Sequence, residues 1–168
     1  MSHLAACTPK TLSVLLRLSN ISSGLSANSL KDERGSIAEA AYIRSANMDL
    51  IRSCDAIIAN MTPFRGPSMD VGTAYEMGVG AALNKIVVGY TTDPRSFVEK
   101  VQAACKVVRG NDGRLRDEQG MAVEEFGHGD VRLVDNLMMA CGVEKLCASE
   151  EEAIKVALEI FKARGVDR

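Results

Sequence analysis

The sequence predicts an α/β domain built on a mostly parallel sheet. Two observations carry that reading. Residues 55–60 and 86–90 are continuous apolar runs of strand length, the pattern of strands buried on both faces. Residues 71–83, between them, have helical character, and parallel strands require such a crossover. The sheet must then carry helices on both sides.

The remaining elements follow in chain order. Residues 36–52 read as a helix opened by a capping box at Ser36 and Glu39. The first strand, residues 55–60, runs into a loop, residues 61–69, punctuated by Pro63, Gly66 and Pro67. Asp70 stands where a helix N-cap is expected, and Asn84-Lys85 closes the helix before the strand at 86–90. Further on, residues 97–108 suit a helix, 109–120 a polar loop, 131–139 a short helix and 143–147 a last strand. A second capping box at Ser149 and Glu152 opens a terminal helix that runs to Arg164 and stops at Gly165. No repeat or linker divides the chain, so residues 36–168 form one domain.

Residues 1–35 form an atypical N-terminal segment. The first 28 residues contain no Asp or Glu, are rich in Ser, and hold one apolar run, residues 12–18, interrupted by Arg17. Two readings stay open: an organelle transit peptide, or a first strand followed by a disordered stretch over residues 19–29.

Bulk properties exclude several classes. A chain of 168 residues suffices for one well-filled core. Its 46% apolar and 25% charged residues are an ordinary globular mixture, and its net charge of -2 argues against a nucleic-acid polymer as partner. No apolar run approaches the roughly 18 residues of a membrane helix. The five cysteines are scattered, never in CxxC spacing, and only two histidines occur, so no metal cluster is expected. Buried, reduced thiols in a cytoplasmic protein are the plain expectation.

One residue does not fit its surroundings. Glu76 is the only charged residue between Gly72 and Leu83, in a helix whose apolar character all round predicts burial. An isolated buried carboxylate costs several kcal/mol, on the order of a whole domain's margin, so such groups are kept mainly where chemistry uses them. Asp70 lies six residues earlier. By itself it is an N-cap. Beside Glu76 it makes a pair of carboxylates, which suits glycosyl transfer: one attacks an anomeric carbon and the other handles protons or orients the leaving group. Gly72 and Thr73 would let the backbone approach a sugar. In the preceding loop Phe64 offers a face for a planar base and Arg65 a fork of donors.

The residues themselves carry a resemblance. Asn60-Met61-Thr62-Pro63-Phe64-Arg65-Gly66-Pro67, then Asp70-Val71-Gly72-Thr73 and Tyr75-Glu76-Met77-Gly78, continued by Ala81-Ala82-Leu83-Asn84-Lys85, resemble the signature of the nucleoside 2-deoxyribosyltransferase family. The resemblance spans roughly residues 36–168 and is clearest in the central third. It implies a flavodoxin-like three-layer α/β/α fold with about five strands, no metal and no cofactor. It makes Glu76 the nucleophile, Asp70 an active-site carboxylate touching substrate, and Asp49, in Asn47-Met48-Asp49-Leu50, a residue of proton handling at the base. Read alone, Asp49 is a surface partner of Arg52. Asn136, in Asn136-Leu137-Met138, would reach the active site of a neighbouring subunit in a homodimer or larger homo-oligomer. Substrates would be 2′-deoxynucleosides and free nucleobases, placing the enzyme in nucleotide salvage. One departure stands out: family members begin with a strand ending in a Tyr-x-x-Gly-Pro turn, and none precedes Ser36. A shifted reading frame or wrong start upstream of Ser36 is one expectation; residues 12–18 acting as the strand is the other. The competing functions are an N-glycosidase, with water in place of the acceptor base, and an inactive nucleotide-binding domain.

Overall fold

In residues 56–60 and 86–90 successive side chains point to opposite faces, and both faces are apolar, so helices must cover each side. The computed structural model describes residues 4–6, 13–16, 35–128 and 131–165 and places helices accordingly. In chain order the elements are β1 (Leu4–Ala6), β2 (Ser13–Leu16), α1 (Ile37–Ser53), β3 (Ala56–Asn60), α2 (Val71–Ala82), β4 (Ile86–Tyr90) and α3 (Phe97–Ala104). Then come β5 (Val108–Arg109), β6 (Leu115–Arg116), β7 (Gly127–His128), β8 (Val131–Arg132), α4 (Leu137–Ala140), β9 (Lys145–Cys147) and α5 (Glu150–Ala163).

The main sheet has the order β1-β2-β3-β4-β9. β3, β4 and β9 run parallel, with Ala56 opposite Ile86 and Tyr90 opposite Cys147. β2 is antiparallel to β3, and β1 to β2. The two antiparallel strands are separated by residues 7–12 alone, far less than the dozen or so residues a parallel crossover needs. β2 thus falls inside the apolar run 12–18, the stretch that is one candidate for a first strand. The rest of the Ser-rich stretch, residues 19–29, lies outside the described residues.

Side-chain alternation makes the three layers. Ala56, Ile58, Ile86, Val88 and Tyr90 face α5 and pack on Ala153 and Ala157. Ile57, with Ile51 and Cys54, builds the opposite layer with α1, while Ala59 and Val87 meet Met77 of α2. A Cβ on Gly80 would run into the Ile57 side chain, so the bare glycine lets α2 close on β3.

Four expectations need correction. α2 is not buried all round: Thr73, Met77 and Gly80 are, but Val71 is 84% and Tyr75 51% exposed. One sheet face needs only one stripe of a helix, and within one chain nothing obliges the outer stripe to be covered. The helix expected over residues 131–139 is reduced to α4, with β8 replacing its start. Asn136 caps α4, and the buried Asp135 before it is held by another loop, so the helix cannot begin earlier. The helix from Phe97 ends at Ala104, and the polar stretch after it folds as the β5–β6 hairpin. Cysteines 54 and 147 are buried, whereas Cys141 is exposed. No helix among the described residues is long and apolar enough to cross a membrane.

Candidate active site

The carboxyl ends of β3 and β4 open onto two loops, residues 61–69 and 91–96, the edge at which parallel α/β sheets gather ligands. Short polar links brace the two loops. Thr62 N–H donates to Asn60 Oδ1 at 3.0 Å, Thr92 N–H donates to Thr62 Oγ1 at 3.1 Å, and the two threonine hydroxyls lie 3.3 Å apart. Phe64 N–H donates to Ser68 O at 2.9 Å, closing the first loop into a tight bend.

Phe64 and Arg65 sit in that bend. Phe64 is half-buried and outside the core clusters, and the Arg65 guanidinium lies 4.9 Å over its ring. Arg65 is exposed and adopts φ 56°, a left-handed conformation that glycine takes readily and a residue with a Cβ pays about 1–2 kcal/mol to adopt. The neighbouring Gly66 does not carry the turn; the arginine does.

A buried carboxylate anchors the loop from below. Asp135, 1% exposed, accepts from the Ser68 hydroxyl, from Met69 N–H at 2.8 Å and from Asn136 N–H at 2.8 Å. Lys100, also buried, donates to Val134 O at 2.8 Å. Burial pushes the Lys100 ammonium's pKa down, while Asp93 and Asp135 pull it up. Neither Asp135 nor Lys100 carries a signal in the sequence, since Ser68 and Met69 lie far along the chain from Asp135, as Val134 does from Lys100.

α2 starts at this edge. Asp70 caps it: its Oδ2 accepts from Thr73 N–H at 3.0 Å and from the Thr73 hydroxyl at 3.4 Å, leaving Oδ1 outside the cap. A Cβ on Gly72 would stand 2.9 Å from that same Oδ2, so Gly72 keeps room for the carboxylate. Thr73 is buried, and its side chain serves Asp70. Glu76 follows six residues on, about 9 Å along the axis. It is half-buried, and its Oε1 accepts from Asn47 Nδ2 of α1 at 3.2 Å. One step along, Arg44 donates to the Tyr75 hydroxyl at 3.2 Å, a second tie between the two helices.

Two expected site residues are placed elsewhere. Asp49 is 61% exposed and bonded to Arg52 at 2.9 Å, the surface pair its spacing suggested. It stands two residues from Asn47, about 200° around α1, and so is not brought to Glu76. Asn136 caps α4 through Oδ1, while its Nδ2 donates to Glu124 at 2.6 Å within the same chain. At the second loop, Arg95 grips Asp93 with bonds of 2.9 and 2.7 Å and holds its carboxyl down at about 2. Among the described residues no three His, Cys, Asp or Glu side chains gather in a metal-holding cluster.

A doubly covered α/β sheet with an acid-bearing helix at its carboxyl edge is the class of scaffold this fold defines. The comparisons narrow it. A profile of the family described as Nucleoside 2-deoxyribosyltransferase matches residues 3–138. The chain belongs to that family. An uncharacterized protein of Schizosaccharomyces pombe is 32% identical over 136 residues, 73% of this chain, which spans 64% of that relative's length. The solved structure of a 2-desoxiribosyltransferase from Leishmania mexicana matches with a TM-score of 0.55 at 39% identity, over 71% of this chain and 68% of that one.

Proposed function

We propose that the protein transfers 2-deoxyribose between nucleobases through a covalent intermediate on Glu76. The observation that supports this reading is the Glu76 carboxylate, half-buried between α1 and α2, in the helix that follows the loop at the carboxyl end of β3. In the first half-reaction a Glu76 oxygen attacks C1′ of a 2′-deoxynucleoside. The C1′–O bond forms as the C1′–N bond breaks, and the base leaves with that electron pair and takes up a proton. In the second, the nitrogen of another base attacks C1′ from the vacated side, gives up a proton, and frees the carboxylate. Two displacements give net retention.

Asp70 is the partner carboxylate, fixed by Thr73 so that Oδ1 is the oxygen available to the sugar. Phe64 would stack on the base from the ring face away from Arg65, and Arg65 would supply donors to its polar edge. Gly72 keeps the backbone close to Asp70. The substrates are then 2′-deoxynucleosides and free bases, in a cytoplasmic salvage reaction that needs no cofactor. We further propose a homodimer or larger assembly in which a second copy covers Val71, Tyr75 and the exposed Met138, on α2 and α4. Asn136, at the start of α4, would exchange its Glu124 bond for the neighbour's site.

The test is base exchange with thymidine as donor and adenine as acceptor. Wild type should form deoxyadenosine, and Glu76→Ala and Glu76→Gln should not while keeping the wild-type melting temperature. Exchange that survives either substitution overturns the assignment. Accumulation of free deoxyribose instead of deoxyadenosine marks a hydrolase on the same site.

A further inference from the structure

Lys100 is a charged residue at a helix position that calls for an apolar one. Spacings of three and one put it on the stripe of α3 that holds Phe97 and Val101, and it is only 3% exposed. Its ammonium donates to Val134 O at 2.8 Å, and Phe97 N–H, three residues earlier, donates to Leu133 O at 2.8 Å. The first turn of α3 therefore holds two successive carbonyls of the segment leading into Asp135. Asp135 in turn accepts from the Ser68 hydroxyl and Met69 N–H, at the end of the loop that carries Phe64 and Arg65. α3 itself opens out of the second loop, residues 91–96, at its N-cap Ser96. One line of contacts thus joins the two loops through Lys100, Val134 and Asp135. The charges follow the same line. Among the described residues the groups bonded to Asp135 are all neutral donors, while the Lys100 ammonium lies in the field of Asp93 and Asp135, which favour its charged form against burial. Asp93 already has Arg95, at 2.9 and 2.7 Å, so Lys100 is the cation that offsets Asp135. A buried charge persists only with such compensation.

We propose that Lys100 is a positioning residue for base binding: through Val134 and Asp135 it keeps the loop of Phe64 and Arg65 docked, and its charge offsets that of Asp135. This rests on the reading of that loop as the one that binds the base. A loop docked only part of the time lowers the apparent affinity by the docked fraction. The bonds made to the sugar once it is docked are unaltered, so the loss falls on binding and not on the chemical step.

The test combines Lys100→Met, which keeps the length of the stem without the charge, with Asp135→Asn and the double variant. Exchange between thymidine and adenine gives KM and kcat for each, and melting temperatures are taken alongside. Lys100→Met should raise KM on the order of tenfold, the size of one lost hydrogen bond to a charged group, and leave kcat within about threefold. Because both residues act through one loop, the double variant should bind no more weakly than the weaker single variant. It should also melt above the sum of the two single shifts, since neither charge is left alone. A wild-type KM in Lys100→Met, a loss that falls on kcat, or effects on KM that multiply in the double variant overturns the proposal. Should Lys100→Met alone not fold, the double variant decides: folding with the KM of Asp135→Asn supports the proposal, and failure to fold overturns it. Wild type that exchanges no base removes the proposed function and this inference with it. Wild type that exchanges bases with a KM indifferent to Lys100→Met removes only the role of Lys100.

Discussion

Asp135 holds the loop that carries Phe64 and Arg65, and removing it should cost both stability and substrate binding. Its carboxylate is 1% exposed and accepts three bonds, from the Ser68 hydroxyl, Met69 N–H and Asn136 N–H. Two effects compete. Releasing a buried charge from the interior recovers desolvation energy of several kcal/mol at most, on the order of the full penalty for one ion. Against that, each hydrogen bond to a charged group is worth about 1.5–3 kcal/mol, and a buried donor left unpaired costs about 1–3 kcal/mol more. With three donors facing one carboxylate, the bonds win. Asp135→Ala strands the buried Met69 N–H and leaves a void, so about 3–5 kcal/mol should be lost. Asp135→Asn keeps the shape and the oxygen serving Ser68 and Asn136, but turns an NH2 toward Met69 N–H, so about 1–3 kcal/mol should go. At about 2–4 °C per kcal/mol for a chain of this size, melting temperatures should fall by about 2–12 °C for Asp135→Asn and about 6–20 °C for Asp135→Ala. Calorimetry or circular dichroism reads the shift. In the exchange assay KM should rise more than kcat falls, since the role proposed for the loop is to bind the base and not to form bonds to the sugar. An Asp135→Asn protein as stable as wild type, or more so, would show that desolvation outweighs the hydrogen bonds and that the anchor is not one.

Two further outcomes are expected. The Asp93 carboxyl is held at about 2, first by its hydrogen bonds from Arg95, against an ordinary 3.8. A depressed carboxyl stabilises the fold above its unfolded value and ceases to as pH falls through about 2, so Arg95→Ala should move the Asp93 titration seen by carbon-13 NMR back toward 3.8 and shrink the stability difference from wild type in acid. The outer faces of α2 and α4 expose Val71, Tyr75 and Met138. Light scattering should report a dimer or larger particle, and Val71→Glu with Met138→Glu should convert it to monomer with loss of exchange; a wild-type monomer at working concentration would remove the proposed assembly.

Features whose causes are local can be read from the chain alone. β4 is bounded where its apolar run ends, and Asp70 and Ser149 cap α2 and α5 because a side-chain oxygen three residues ahead of an amide is a matter of sequence spacing. The same holds for Glu76, which stands out against an otherwise uncharged helix. What depends on distant partners cannot be read so. Asn47 meets Glu76, and Asp135 meets Met69, only after α1 packs on α2 and the loop before α4 returns to the end of β3. An N-x-D-L stretch on a helix does not by itself say which of Asn47 and Asp49 faces α2; the packing of α1 on α2 decides that. The exposure of the outer face of α2 is not legible for a related reason: hydrophobic periodicity marks what a helix could bury, not whether a second element of the same chain arrives to cover it. β2 lies within the apolar run at residues 12–18, yet its antiparallel direction is set by its pairing with β3.

The nucleophile assignment is tested most directly by mass spectrometry of the protein incubated with a deoxynucleoside and no acceptor base, then digested. The peptide containing Glu76 should gain the mass of one 2-deoxyribosyl group, lose it again when adenine is added, and stay unmodified in Glu76→Gln. A deoxyribosyl group found on any other residue, or exchange proceeding with no adduct in trapped, acid-quenched samples, would contradict it.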